Sequence, residues 1–138
     1  MNNYIVDGRK IRDVESLCDE FANAVNAPEG YFGKCLESFD DCLFGGFGLE
    51  SPCTVTWKDS SESKKHMGSQ MLAEYCEKIL SDCPYIHEER FEEGKEWCLE
   101  TLKKARSGEK DFYDLVIEKI TSVSERSCFG HKVDLILE

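Results

Sequence analysis

The sequence predicts one α/β domain in which three parallel strands alternate with helices. Its 138 residues, 41% hydrophobic and 33% charged, suit a single compact domain and fall short of two average ones. Three β-prone runs are separated by stretches in which apolar residues recur at helical spacing. Because parallel strands need a crossover connection, usually a helix, this alternation favours parallel pairing.

The first strand and first helix are indicated within 30 residues. Residues 4–6 are β-prone and are followed by the turn dipeptide Asp7 and Gly8. Asp13 can cap a helix, which residues 26–30 end. Its apolar positions are Val14, Leu17, Cys18, Phe21 and Val25. The polar residues expected to face away from them are Glu15, Asp19, Glu20 and Asn23.

A second helix is predicted from near residues 31–33 to about residue 44, where the glycines of residues 45–48 stop it. One side is an apolar stripe, expected to be core: Cys35, Leu36, Phe39, Cys42 and Leu43. The opposite side carries, at spacing i, i+3, i+4 and i+7, Glu37, Asp40, Asp41 and Phe44. The helix therefore has a core face and an acidic face.

Residues 53–57 are predicted to form the second strand. Asp59, three before Glu62, is typical of a capping box and opens a long helix that Pro84 stops. Its apolar face consists of Met67, Met71, Leu72, Tyr75, Cys76, Ile79, Leu80 and Cys83.

Two further helices and a last strand complete the predicted order. One helix covers about residues 87–105, with aligned Phe91, Cys98, Leu102 and Ala105 before Gly108. The last helix carries Phe112, Leu115, Val116, Ile120 and Val123. The apolar run of residues 132–137 suits a buried central strand.

Charge and cysteine content restrict the function classes. With 17 basic and 28 acidic residues, the net charge of −11 repels nucleic-acid phosphate and favours a basic protein partner. No apolar run reaches the roughly 18 residues of a membrane span, and no secretory signal opens the chain, so a cytoplasmic protein is expected. The eight cysteines are then expected to be free thiols, mostly in the core.

The acidic face of the second helix is the most informative local feature. Glu37 meets Asp40 and Asp41 at spacings where like charges repel, with no basic residue between them. Residues 29–62 hold seven acids and two bases. The face is either an ordinary solvated surface or a mimic of phosphates, with Tyr31, Phe44 and Phe47 as apolar anchors.

Four segments, in order, resemble the barstar family of intracellular ribonuclease inhibitors. Residues 27–43 resemble its pattern of Pro-Glu, Tyr-Tyr-Gly and a helix ending in Asp-Cys-Leu. Residues 4–12, 52–64 and 133–137 are similar as well. The resemblance covers about two thirds of the chain and implies a three-stranded parallel sheet packed with helices.

The resemblance also implies a function and a set of partner-binding residues. The acidic helix and the loop before it would plug the active site of a ribonuclease toxin, one-to-one, as in an immunity protein. Asp41 matches the family's central acid, Glu37 its second acid, Tyr31 its loop tyrosine and Gly45 the glycine past the helix. Counting back from the last strand, Glu125 matches a further interface acid.

The sequence departs from the family pattern on this same face. Asp40 replaces an aromatic residue, Cys35 an asparagine, and Gly30 lengthens the loop, which suggests a different toxin. Residues 68–110 are expected to be a helical insertion within one domain of residues 1–138. Their acidic run at residues 88–93 is either a second contact or a solvated helix face.

Other chemistries and partners are less favoured. Cys76, Cys83, His87 and Cys98 do not have the spacing of common zinc sites. His66, His87 and His131 cannot be placed beside a cysteine from sequence, so no catalysis, metal or cofactor is predicted. The alternative to a ribonuclease is another basic partner, such as a DNase toxin, bound by a protein that is monomeric when free.

Overall fold

The computed structural model describes residues 2–81 and 88–138, with the backbone alone for residues 88–93. Cys83, Pro84 and His87, and the side chains of the acidic run, lie outside the described part. The strands are β1 (Asn2–Asp7), β2 (Cys53–Lys58) and β3 (Val133–Leu137). The α-helices are α1 (Val14–Val25), α2 (Leu36–Cys42), α3 (Ser60–His66), α4 (Ser69–Ser81), α5 (Glu88–Ser107), α6 (Phe112–Thr121) and α7 (Val123–Arg126).

The predicted fold class is confirmed: the described strands form one parallel three-stranded sheet in the order β1-β2-β3, accompanied by helices. In its register, Tyr4 pairs with Val55 and Val55 with Leu135. The central strand is therefore β2, and the prediction of a central position for β3 was wrong. The apolar composition of β3 is compatible with either a central or an edge position in the sheet, so it could not distinguish them.

The two faces of the sheet differ. Val6, Val55 and Trp57 are fully buried on one face, and Val133 is nearly so. On the other, Ile5, Thr56 and Ile136 form one cross-strand row, and Ile5 is 60% exposed. Because successive side chains alternate between faces, one buried face is enough to fix the register.

Helix α1 begins and ends as the sequence predicts. Asp13 accepts a hydrogen bond from the backbone N–H of Ser16, and the Ser16 hydroxyl accepts one from that of Asp13, which completes a capping box. The expectation that Glu20 faces solvent was wrong. Its carboxylate is buried and accepts a hydrogen bond from the Asp7 backbone N–H (3.0 Å).

Helix α2 is shorter than predicted, because it begins at Leu36 and not near residues 31–33. Phe32 instead enters the core before the helix, where its ring lies 5.6 Å from those of both Phe21 and Phe39. The predicted core stripe is otherwise buried, but Cys35 is exposed at the N-cap position. The residues predicted to form the first turn of the helix are therefore not helical, because Phe32 packs into the core there.

The chain divides into two compact units, of residues 1–66 with 116–138 and of residues 67–115. The first contains the sheet, α1–α3 and the chain from Val116 onward. The single long helix predicted from residue 59 was wrong, because the helical run is interrupted at residues 67–68 between α3 and α4. The last predicted helix is likewise two, α6 and α7.

The second unit is built on α4 and α5. Leu72, Cys76, Cys98 and Leu102 are buried. At its base, Gly68 accepts a hydrogen bond from the Phe112 N–H (3.2 Å), and Met67 accepts one from Tyr113 (3.1 Å). The predicted insertion, residues 68–110, lies within this unit. In residues 2–81 and 88–138, no helix is long and apolar enough to cross a membrane.

Candidate functional site

Short-range hydrogen bonds fix the start of α2. The Ser38 hydroxyl accepts from the backbone N–H groups of Lys34 (2.8 Å) and Cys35 (3.0 Å). Gly33 has φ +100°, and a Cβ there would lie 2.6 Å from the Phe39 nitrogen, so only glycine fits. The direction in which α2 presents its polar side chains is therefore set by its own first turn.

The three acids of α2 have different surroundings. Glu37 and Asp41 are exposed, whereas the Asp40 side chain is only 14% exposed. Both Asp40 oxygens accept hydrogen bonds from the Arg126 guanidinium, each at 2.7 Å. Asp40 is thus paired within the molecule, and Glu37 and Asp41 supply the exposed negative charge.

Arg126 ties α7 to α2 through several contacts. Besides pairing with Asp40, it donates to the Ser122 hydroxyl (3.0 Å) and to the Lys119 carbonyl (2.8 Å). Its guanidinium carbon lies 5.1 Å from the centre of the Phe44 ring, a cation–π distance. Arg126 was not among the predicted site residues, because it lies 86 residues from Asp40 in the sequence. The signal in the sequence was three clustered acids with no basic residue between them.

Phe44 and Gly45, directly after α2, meet the segment before β3. The Phe44 ring stands edge-on to His131, with centroids 6.2 Å apart. A Cβ at Gly45, where φ is +104°, would lie 3.6 Å from His131 Cε1. A 2.6 Å hydrogen bond joins His131 Nδ1 to Ser51 Oγ. Ser51 and His131 thereby connect the loops that precede β2 and β3.

The remaining predicted site residues lie on flanking segments. The half-buried ring of Tyr31 lies 5.7 Å from that of Phe47, which is 37% exposed. Glu125 is exposed in α7 and precedes Arg126 in the chain. The structure thus brings Asp40, Phe44 and Gly45 together through Arg126 and His131, whereas Tyr31 pairs with Phe47.

Three of the buried cysteines are poorly placed to react or to bind a metal ion. Cys18, Cys53 and Cys76 are buried, and burial raises the pKa of Cys18 to about 12 and those of Cys53 and Cys76 to about 11. Protonated thiols are poor nucleophiles and poor ligands. Within the described residues, no three His, Cys, Asp or Glu side chains are grouped to hold a metal ion.

Comparison with known proteins identifies a matching family and a relative. The family model described as Barstar (barnase inhibitor) matches residues 1–99. A protein of Bacillus subtilis (strain 168), named putative ribonuclease inhibitor YrdF, is 30% identical over 95 residues, which are 69% of this chain and 96% of that protein. The family match includes α2 and the loop before it, whereas Glu125 and Arg126 lie beyond the matched residues.

Proposed function

This chain belongs to the barstar family, and from that premise we propose that it inhibits a ribonuclease toxin, as an immunity-type protein of the cytoplasm. It binds the toxin one-to-one and covers its active site with α2 and the loop before it. The observation that carries the proposal is the exposure of Glu37 and Asp41 on a helix fixed by the Ser38 cap and the Arg126 pair.

Glu37 and Asp41 take the places of RNA phosphates in the cleft of the nuclease. A ribonuclease binds its substrate with Arg, Lys and His side chains, and carboxylates can occupy the same positions. The net charge of −11 accelerates encounter with a basic enzyme. Once the cleft is closed, each carboxylate is desolvated and paired, so removing one leaves a buried cation without a partner.

The other predicted contacts have supporting roles. Asp40 acts through Arg126, because both of its oxygens are already paired. Phe44 and Gly45 follow α2 directly and Tyr31 lies in the loop before it, and these residues supply apolar surface. Glu125 adds a carboxylate from α7. A rim of this kind keeps water away from a charged centre.

The test measures RNA hydrolysis by barnase and by other basic secreted bacterial ribonucleases in the presence of this protein. At least one enzyme should be inhibited at a one-to-one ratio. Asp41→Ala should weaken inhibition by about 2 kcal/mol or more, roughly 30-fold, and Glu37→Ala should also weaken it. The melting temperature of Asp41→Ala should not fall, since this change relieves repulsion within α2.

Glu62→Ala is the matched control. This change removes one carboxylate from helix α3. Helix α3 follows the carboxyl end of β2, whereas α2 comes before the amino end of that strand, so the two helices start from opposite ends of β2. Inhibition should stay at the wild-type level. Wild-type inhibition by both α2 variants would disprove the phosphate-mimic mechanism, and stoichiometric binding to a DNase alone would assign the surface to another basic partner.

A further inference from the structure

An unusually exposed aromatic side chain lies in the loop that follows Arg126. Phe129, in the loop between α7 and β3, is 88% exposed, the highest value among the large apolar side chains that the structure describes as exposed. Burying a phenylalanine is worth about 1.5–3 kcal/mol. Full exposure therefore leaves a large apolar surface available to a partner.

The backbone that carries Phe129 is held in place. The Ser127 hydroxyl accepts hydrogen bonds from the Phe129 N–H (3.2 Å) and the His131 N–H (3.1 Å). The Ser127 N–H itself donates to the Val123 carbonyl at the end of α7 (3.0 Å). Gly130 supplies the left-handed turn that follows, with φ +78°.

The loop is also connected at both ends to the acidic face. Before it, Arg126 pairs with Asp40 of α2. At its end, His131 contacts the Phe44 ring and is hydrogen-bonded to Ser51. Phe129 thus lies between two residues that both contact α2 or its end. The loop is therefore anchored on both sides to α2, the helix that carries Asp41, or to the residue after its end.

We propose that the loop of residues 127–131 is a second contact of this face, on which Phe129 is the apolar anchor. The inference rests on the proposed function: its occupant is the same basic ribonuclease, whose cleft rim supplies an apolar pocket. Aromatic side chains are enriched in the buried centres of interfaces. Because the loop is ordered before binding, little conformational entropy is lost when Phe129 enters its pocket.

The experiment uses the full chain and the ribonuclease inhibited in the preceding test. Phe129→Ala should weaken inhibition by about tenfold or more, mainly by faster dissociation, and Phe129→Tyr should restore most of it. Melting temperature, measured by circular dichroism, should be unchanged in both variants. The matched control is Ile136→Ala, an apolar truncation at a 46% exposed site on β3, which should inhibit like wild type.

The outcomes separate this inference from the function on which it rests. Wild-type inhibition by Phe129→Ala, with weakened inhibition by Asp41→Ala, would overturn the anchor and leave the proposed function standing. If Phe129→Ala lowers both the melting temperature and the affinity, Phe129 has a structural role, and the proposal that it anchors the nuclease is also overturned. If no ribonuclease in the panel is inhibited, both proposals fail.

Discussion

Among single residues, Arg126 determines how much of the acidic face is free to bind. It donates four hydrogen bonds to Asp40, Ser122 and Lys119, and it lies over the ring of Phe44. The Asp40 carboxylate is therefore neutralised within the molecule. Counting the acids of α2 in the sequence therefore overstates the negative charge that a partner contacts, because the count leaves out Arg126, which is distant in the sequence.

Replacing Arg126 with Ala should lower the free energy of unfolding by about 2 kcal/mol, since it leaves the mostly buried Asp40 carboxylate without its bidentate donor. Urea unfolding measures the change. Lys65→Ala is the control, because the Lys65 and Glu62 side chains are 67% and 45% exposed and such pairs contribute about 0.5 kcal/mol. Strict additivity of Asp40→Ala and Arg126→Ala in the double variant would contradict the pairing.

The described cysteines should differ in reactivity. Cys35 and Cys128 are exposed, whereas burial raises the pKa of Cys18 to about 12 and that of Cys53 to about 11. Because a higher pKa lowers the thiolate fraction, iodoacetamide at pH 8 should label the exposed pair first. Peptide mass spectrometry over time follows each site.

Unfolding the protein without reductant should make all eight cysteines available to the same reagent. The unfolded sample is the control for intrinsic reactivity. Pairs that stay protected in it would reveal disulfides and argue against the proposed cytoplasmic location. Rapid labelling of Cys18 in the folded protein would contradict its burial.

At the scale of elements, α2 is a seven-residue helix, too short to be stable by itself in water. Its caps and its buried side chains therefore fix its position. Ser38, in the first turn, accepts hydrogen bonds from the backbone N–H groups of the two residues just before the helix, Lys34 and Cys35. Local hydrogen bonds at one end of α2 and the Arg126 pair near the other together hold the proposed binding residues.

Ser38→Ala should lower the free energy of unfolding by about 1 kcal/mol, the usual cost of losing a helix cap, and should weaken ribonuclease inhibition as well. Denaturant melts and inhibition assays measure the two effects. Ser124→Ala, at an exposed position in α7, serves as the control and should change neither. A stable variant with wild-type inhibition would show that the cap does not position α2.

The elements that could be predicted are those encoded locally. Helix α1 has Asp13 at its start, and β2 has a run of β-branched residues after Pro52. The start of α2 could not be predicted, because Phe32 is placed by the distant Phe21 ring. Likewise, Arg126 and His131 reach the site through the fold, and no spacing in the sequence brings them to Asp40 and Phe44.

At the scale of the whole molecule, the proposed binding residues all belong to the unit that contains the sheet. The other unit, residues 67–115, is closed at its base by the two backbone hydrogen bonds of Met67 and Gly68. Its main helices, α4 and α5, pack on one another. That residues 68–110 are a helical insertion which the binding face does not need stays a prediction.

Removing residues 70–108 and joining the ends with a short flexible linker should leave a folded inhibitor. The linker can be short because the Gly68 carbonyl and the Phe112 N–H, which remain, lie 3.2 Å apart. A cooperative thermal transition and retained ribonuclease inhibition are the expected readouts, with the full chain as control. An insoluble or unfolded product would show that residues 70–108 belong to the core.

The edge position of β3 affects how long a folded molecule keeps its ability to bind the nuclease. Among the described strands, β3 pairs with β2 alone, and Ile136 and Leu137 near its end are about half exposed. Sub-global opening of such an edge strand costs less than global unfolding. Opening β3 would loosen His131, two residues before the strand, and with it the contact of His131 with Phe44 after α2. A bound nuclease would then slow amide hydrogen exchange in β3 without contacting that strand. In the free protein, the rate of proteolysis would depend on how often β3 opens.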